Sequence, residues 1–192
     1  MEKGQRRQQI LVHAREVFAK SGYHAAKVDD IVAAAGVARG TFYLYFEDKR
    51  AIFEEIVDRL LVRFGMAISR VDPKGDVDEQ IRNNVRGIVH LLMEESVTTK
   101  ILLTGVSGVD IAFDRKIQLF FGQVHSLLEE ALDDGQELGM VSKGNARMQA
   151  TFMIGALKES MYQVVIRGWD DDEADIVDGL LGFMQRGLLT RG

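Results

Sequence analysis

Apolar side chains recur at three- and four-residue intervals along almost the whole of this 192-residue chain, and a single proline, Pro73, interrupts them. That spacing puts the apolar residues on one face of an α-helix, whereas a half-buried strand needs strict alternation. Ile10, Leu11, Ala14, Val17 and Phe18 define the first such face, over Gln8 to Lys20, and Ser21-Gly22 ends it. A short helix fits Val28 to Ala35, with Asp29 and Asp30 in its first turn and Gly36 as its stop. Residues 39 to 46 read as a third helix. Asp48 caps a fourth that runs to about Arg70, with Ile52, Phe53, Ile56, Val57, Leu60, Leu61 and Phe64 as its stripe. Asp72-Pro73-Lys74-Gly75 then breaks the pattern.

Five further helical stretches follow: 76 to 94, 98 to 104, 110 to 137, 145 to 167 and 173 to 189, with the glycine-bearing Gly105-Val106-Ser107-Gly108 after the second. The expected fold class is all-α, with about nine helices and no strand, repeat or low-complexity tract. With 46% hydrophobic and 28% charged residues, the chain has enough apolar surface to bury a sizeable core. No run reaches eighteen apolar residues, and no apolar segment follows the basic N-terminus, so a cytoplasmic protein without a membrane partner is expected.

Several chemistries have nothing to stand on. The absence of cysteine removes disulfides, thiolate nucleophiles and thiolate metal sites. His13, His24, His90 and His125 never pair at metal-ligand spacing, so neither a metal nor a cofactor is expected. There is no Gly-x-Ser-x-Gly elbow, phosphate-binding glycine loop or His-Glu-x-x-His. Glu94-Glu95 and Glu129-Glu130 are sequence neighbours that a helix points about 100° apart. The acidic run Asp170-Asp171-Asp172-Glu173 lacks the spacing of an EF-hand and reads as a helix cap. An enzyme is not expected.

The net charge of −5 is unevenly spread. Residues 1–50 carry nine basic and six acidic side chains; residues 51–192 carry fifteen and twenty-three. The basic half is therefore the one that holds two short helices joined by Gly36-Val37-Ala38. Such a pair is a helix-turn-helix, whose second helix enters the major groove of DNA. Ile31, Val32, Ala35, Val37 and Phe42 hold the two helices together. Arg39, Thr41, Tyr43 and Tyr45 are then left to face outward, offering one guanidinium and three hydroxyls. Gly40, costly within a helix, suits a backbone that must approach the sugar-phosphate wall.

The order of these residues resembles the tetracycline-repressor (TetR) family of bacterial regulators. The resemblance rests on Gly22-Tyr23, Ile31, Ala34-Ala35-Gly36-Val37-Ala38, Gly40-Thr41-Phe42-Tyr43, Tyr45-Phe46 and Lys49, and covers roughly residues 10 to 56. It implies a DNA-binding domain over 1–48 and a ligand-binding and dimerisation domain over 49–192. It further implies a ligand-responsive regulator, most simply a repressor, that binds palindromic double-stranded DNA as a homodimer. Arg39 and Thr41 would contact bases or adjacent phosphates, with Tyr43, Tyr45 and Lys49 on phosphates. Lys27 stands where the family places a capping Thr or Ser. Lysine cannot accept the capping hydrogen bond, though it can reach a phosphate.

The last two long helices are the expected dimer interface, since the first of them is apolar over too wide an arc for a surface helix. Met148, Phe152, Gly155, Glu159, Tyr162, Ile176, Leu180, Phe183, Met184 and Leu188 are the candidates. A small apolar or aromatic effector is expected in a cavity of the second domain, with Phe64, His90, Phe120, Phe121, His125, Phe152 and Trp169 as candidate lining. The alternative is a helical module that binds another protein or a lipid-like ligand, its helix-turn-helix having become structural; the overall acidity favours it.

Overall fold

The computed structural model describes residues 3–104 and 111–187; Gly105–Gly108 and Leu188 lie outside them. Nine helices and no strand occur among the described residues. They are α1 (Lys3–Ser21), α2 (Val28–Ala35), α3 (Arg39–Tyr43), α4 (Lys49–Ala67), α5 (Val77–Glu94), α6 (Ser96–Thr104), α7 (Ile111–Glu137), α8 (Ala146–Val165) and α9 (Glu173–Gly187). None is long and apolar enough to cross a membrane.

Local chemistry accounts for the helix ends. Gly22 and Gly36 sit at φ 77° and 61°, the left-handed region where a Cβ is costly, and Gly36 closes α2 by donating to the Ala33 carbonyl. Asp48 Oδ1 accepts the Ala51 amide at 2.8 Å and starts α4. Asp76 and Asn145 cap α5 and α8 through the amides of Glu79 and Met148, both at 3.0 Å. In the acidic run before α9, Asp172 and Asp175 each accept the other's backbone amide, at 3.0 and 3.1 Å. That reciprocal cap is the role expected for these acids.

The chain divides into two compact units, Met1–Leu60 with Val97–Phe120, and Leu61–Ser96 with Phe121–Gly192. The unit that holds the helix-turn-helix therefore extends beyond residues 1–48, and its boundaries fall inside α4, at the start of α6 and inside α7. Its core explains why. Ile10, Ala14, Phe18, Ile31, Phe42, Ile52, Phe53 and Phe113 are all fully or almost fully buried. Phe113, on the first turn of α7, stacks on Tyr23 and on Phe53 with ring centroids 4.5 Å apart in each case. Phe18 meets Tyr23 edge-on at 5.4 Å. Aromatic residues separated by some ninety positions in sequence thus form one cluster, each pair adding to the area term.

In the second unit, Leu132, Val141, Ala146, Ala150 and Met184 make a core cluster, with Ile81, Val85, Leu128 and Met153 packed against it. Ile176 and Met184 are buried. Both were expected at the dimer interface, but Ile176, Val177, Leu181 and Met184 form the inward face of α9, and Gly179 and Phe183 the outward one. Because α9 is apolar on both sides, its sequence alone does not fix which side faces the core.

Truncating Phe113 to Ala removes a fully buried ring from the first unit and should lower stability by about 3–5 kcal/mol. Urea denaturation of the variant checks this; a loss under 1 kcal/mol would mean that the cluster does not hold the start of α7.

Candidate nucleic-acid interface

Helix α2 begins at Lys27, which has extended backbone and no side-chain cap. Asp30 compensates, its Oδ2 accepting the Lys27 amide at 2.9 Å. This is one half of a capping box, the half that an acid three residues on can supply when the cap residue has no acceptor. Lys27 itself is exposed, so its ammonium can still serve as a mobile charge.

The turn Gly36-Val37-Ala38 then reverses the chain into α3. Phe42 and Phe46 are buried beneath it, and Ile31 and Ala35 meet them from the α2 side of the same core. With Phe42 inward, Arg39, Gly40 and Tyr43 are exposed, and Thr41 and Tyr45 are half-buried. A Cβ on Gly40 would meet nothing within 4 Å. No neighbour in the chain requires glycine there, which is consistent with a need for close approach from outside. Leu44, at the end of α3, is 80% exposed and had not been singled out from the sequence. A leucine this exposed beside Tyr43 adds an apolar contact of the kind that meets sugar or a thymine methyl.

Arg39 is oriented. Its Nη1 contacts Asp29 Oδ1 at 2.9 Å and Oδ2 at 3.3 Å, and its guanidinium carbon lies 6.0 Å from the Tyr43 ring centroid. Tyr43 and then Asp29 hold its pKa above the ordinary arginine value.

Lys49 is placed differently from the expectation. Its ammonium donates to the carbonyls of Tyr23, His24 and Ala26 at 2.9, 2.9 and 2.8 Å, and lies 4.8 Å from the Tyr23 ring centroid. Three N–H bonds are thereby given to the α1–α2 connection. Lysine has three donors, so this one is a structural clamp and not the phosphate contact expected from the resemblance.

A second tie went unseen in the sequence. Arg7 bonds the Glu55 carboxylate, donates to the Tyr45 carbonyl at 2.8 Å and covers the Phe46 ring at 4.4 Å. It ties the end of the recognition segment to α1 and, through Glu55, to α4. Arg59 also pairs with Glu55, at 2.7 Å. Burial raises the Glu55 pKa, but the Arg7 and Arg59 guanidiniums outweigh it and hold the carboxyl below its ordinary value.

Of the residues expected to line an effector cavity, Phe120 belongs to the first unit and Phe64, His90, Phe121, His125, Phe152 and Trp169 to the second. Phe64 is buried, whereas Phe152 and Trp169 are each 59% exposed. His90 pairs with Glu173 at 2.9 Å, and that carboxylate raises its pKa. His125 bonds Thr151 at 2.9 Å, and Lys158 sits 4.7 Å from the Phe121 ring centroid. A groove of about 290 Å³ does lie between α8 and α9, lined by Ala156, Val164, Trp169, Leu180 and Phe183 among others, with Asp171 and Asp175 at hand. Only Trp169 of the expected cavity lining belongs to it. Beside it, Met148, Phe152, Gly155 and Glu159 are exposed along α8, and Tyr162 is half-buried.

Residues 10–56 match the family model described as bacterial regulatory proteins, tetR family. The HTH-type transcriptional repressor BepR of Brucella suis biovar 1 (strain 1330) is 40% identical over 58 residues, which are 30% of this chain and 28% of that protein. The solved structure of the fatty acid degradation regulator FadR from Bacillus halodurans superposes with a TM-score of 0.80 at 26% identity, covering 97% of this chain and 98% of that one. The transcriptional regulator FadR from Bacillus subtilis, solved in complex with stearoyl-CoA, gives a TM-score of 0.76 at 24% identity, over 92% and 96% of the two chains.

Replacing Lys49 with Met should lower stability by about 2–3 kcal/mol, since three carbonyls lose a charged donor. The salt dependence of DNA binding should stay unchanged in this variant; a shallower slope would restore Lys49 to the phosphate contacts. For Glu55, the folded pKa lies below the ordinary 4.5. Its stabilisation is therefore complete above pH 4.5 and is lost as pH falls through the folded value. Glu55→Gln should flatten the loss of stability on acidification, which thermal melts between pH 3 and 6 would measure.

Proposed function

We propose that the chain is a DNA-binding transcriptional regulator of the kind its residues 10–56 resemble, the tetR family of bacterial regulatory proteins, and that it acts as a homodimeric repressor on palindromic operators, released by an apolar effector. The outward face of α3 carries the reading. Arg39, Gly40, Thr41, Tyr43 and Tyr45 share that face around the buried Phe42, and Lys27 stands at the start of α2. An element of five residues reaches only a few base pairs. Two copies on half-sites about 34–36 Å apart, one turn of duplex, extend the reading to a usable operator. Lys27 and the tyrosine hydroxyls would hold phosphates, while Arg39 and Thr41 would address base edges.

The outer faces of α8 and α9 are the proposed dimer surface. Phe152 and Phe183 are 59% and 52% exposed, and Met148 lies one turn from Phe152. Exposed rings in one patch fit a surface that a partner covers. A Cβ at Gly155 or Gly179 would meet nothing within 4 Å, so packing within the chain does not require these glycines. Close approach of a second copy would. Met184 packs into the core cluster, and Ile176, though buried, lines the groove between α8 and α9.

The effector is proposed to bind in the second unit, 49–192 in the sequence reading and Leu61–Ser96 with Phe121–Gly192 by compactness. The apolar character of that unit and the stearoyl-CoA complex of the Bacillus subtilis regulator both favour a ligand with a long acyl chain. Release requires the ligand to prefer the geometry in which the two recognition helices no longer match successive grooves. Tenfold release needs about 1.4 kcal/mol of that preference.

The test is binding to a duplex from the DNA upstream of the protein's own coding region. Log K should fall linearly with log salt, by about 0.9 per phosphate contacted. Tyr43→Ala should weaken binding at least tenfold and leave the dimer intact by sedimentation. A dimer that fails to bind this DNA at low salt, or a Tyr43→Ala variant of unchanged affinity, would sink the repressor reading and favour the protein-binding alternative.

A further inference from the structure

We propose that Asp29 is a specificity-determining residue, which holds the Arg39 guanidinium for a guanine edge and denies it to the phosphate wall. The inference rests on the DNA-binding reading of α3. Asp29 and Asp30 both lie in the first turn of α2, where acids are favoured by the helix dipole. They do different things. Asp30 takes the Lys27 amide, whereas Asp29 reaches across the turn to Arg39.

An exposed arginine beside DNA has an easy alternative to reading sequence. Phosphate oxygens are the nearest acceptors, contact with them carries no sequence information, and the side chain has the reach and freedom to find them. Asp29 restricts that freedom. Both of its oxygens meet Nη1, at 2.9 and 3.3 Å, while the Tyr43 ring flanks the guanidinium. The planar group is thereby held at one edge. Its Nε–Nη2 edge carries two parallel donors in the fork that matches guanine O6 and N7.

The local charge follows the same logic. With Arg39 neutralised by Asp29 and Lys49 given to backbone carbonyls, the face of α3 offers little unpaired positive charge to DNA of arbitrary sequence. An acid so placed lowers affinity for any duplex. It is tolerable only where contact with the right bases compensates, and that condition is what makes a reader selective.

The pair also has the exposure of a contact made for something outside the chain. Both side chains are more than 60% exposed, and exposed ion pairs contribute little to stability. Asp29→Ala should therefore fold normally, and its thermal melt is the control.

The experiment is selection from a random-sequence duplex library with the full-length protein, followed by sequencing. The wild type should enrich a palindromic motif with a guanine in each half-site that Arg39→Ala no longer enriches. Asp29→Ala and Asp29→Asn should lose about tenfold in preference at that same guanine, keep the rest of the motif, and bind unselected duplex more tightly than the wild type. Asp29→Ala added to Arg39→Ala should change the motif no further. If Asp29→Ala enriches the wild-type motif undiminished, the positioning role is wrong and the DNA-binding reading stands. If the wild type enriches no motif at all, the reading itself fails and the inference with it.

Discussion

Three carbonyl groups in the link between α1 and α2 have no helix to satisfy them, and the Lys49 ammonium gathers all three. The rest of the DNA-binding unit depends on that contact. Backbone carbonyls turned inward without a partner are expensive, and a charged donor is among the stronger ways to satisfy them. Because Lys49 is the first residue of α4, the clamp ties the approach to α2 directly to the helix that carries Ile52, Phe53, Ile56 and Val57 into the core. The Tyr23 ring lies under the ammonium and also stacks on Phe113, so one residue joins the polar clamp to the aromatic cluster. The orientation of α2, and through Gly36 that of α3, follows from this fixed base.

The recognition segment is held from its other end by Arg7. Its bond to the Tyr45 carbonyl and its seat over Phe46 keep the segment after α3 from fraying. A five-residue helix is too short to be stable by its own hydrogen bonds. It persists because Phe42 and Phe46 anchor it below and Arg7 ties off its end. Among the nine basic residues of the first fifty positions, Arg7 and Lys49 serve as internal ties, whereas Lys27 and Arg39 lie exposed on the helix-turn-helix itself. An acidic protein with so few cations on its reading element is suited to bind DNA by placement and repetition more than by bulk attraction.

The sequence made local features readable and left distant ones obscure. Helix α2 lies where the periodicity of Ile31, Val32 and Ala35 and the stop at Gly36 put it, since both signals act within a turn or two. Phe42 faces inward for the same reason. Lys49 was assigned to phosphate because a lysine at the start of a helix beside a DNA-reading element carries no mark of the carbonyls more than twenty residues upstream that claim it. Arg7 carries no local sign of its partners, since Tyr45 and Glu55 are 38 and 48 residues away. On α9, apolar residues on opposite sides left two choices of face, and only packing against the rest of the unit settles that Ile176 and Met184 point inward. The candidate cavity residues lie on α4, α5, α7 and α8 and in the segment before α9, and their sequence spacing carries no geometric relation among them.

The boundary between the two compact units falls within α4, after Leu60, at the first residue of α6, after Ser96, and within α7, after Phe120. All three crossings lie in helix. An α-helix carries a displacement along its axis with little loss, because bending it strains a continuous ladder of hydrogen bonds. The first turn of α7 is anchored among Tyr23 and Phe53 by Phe113, and the first turn of α4 is anchored by Lys49. The first turns of α4 and α7 belong to the first unit and their later turns to the second, so under the proposed ligand control a shift of those later turns would be felt at Lys49 and Phe113, inside the core that carries α3.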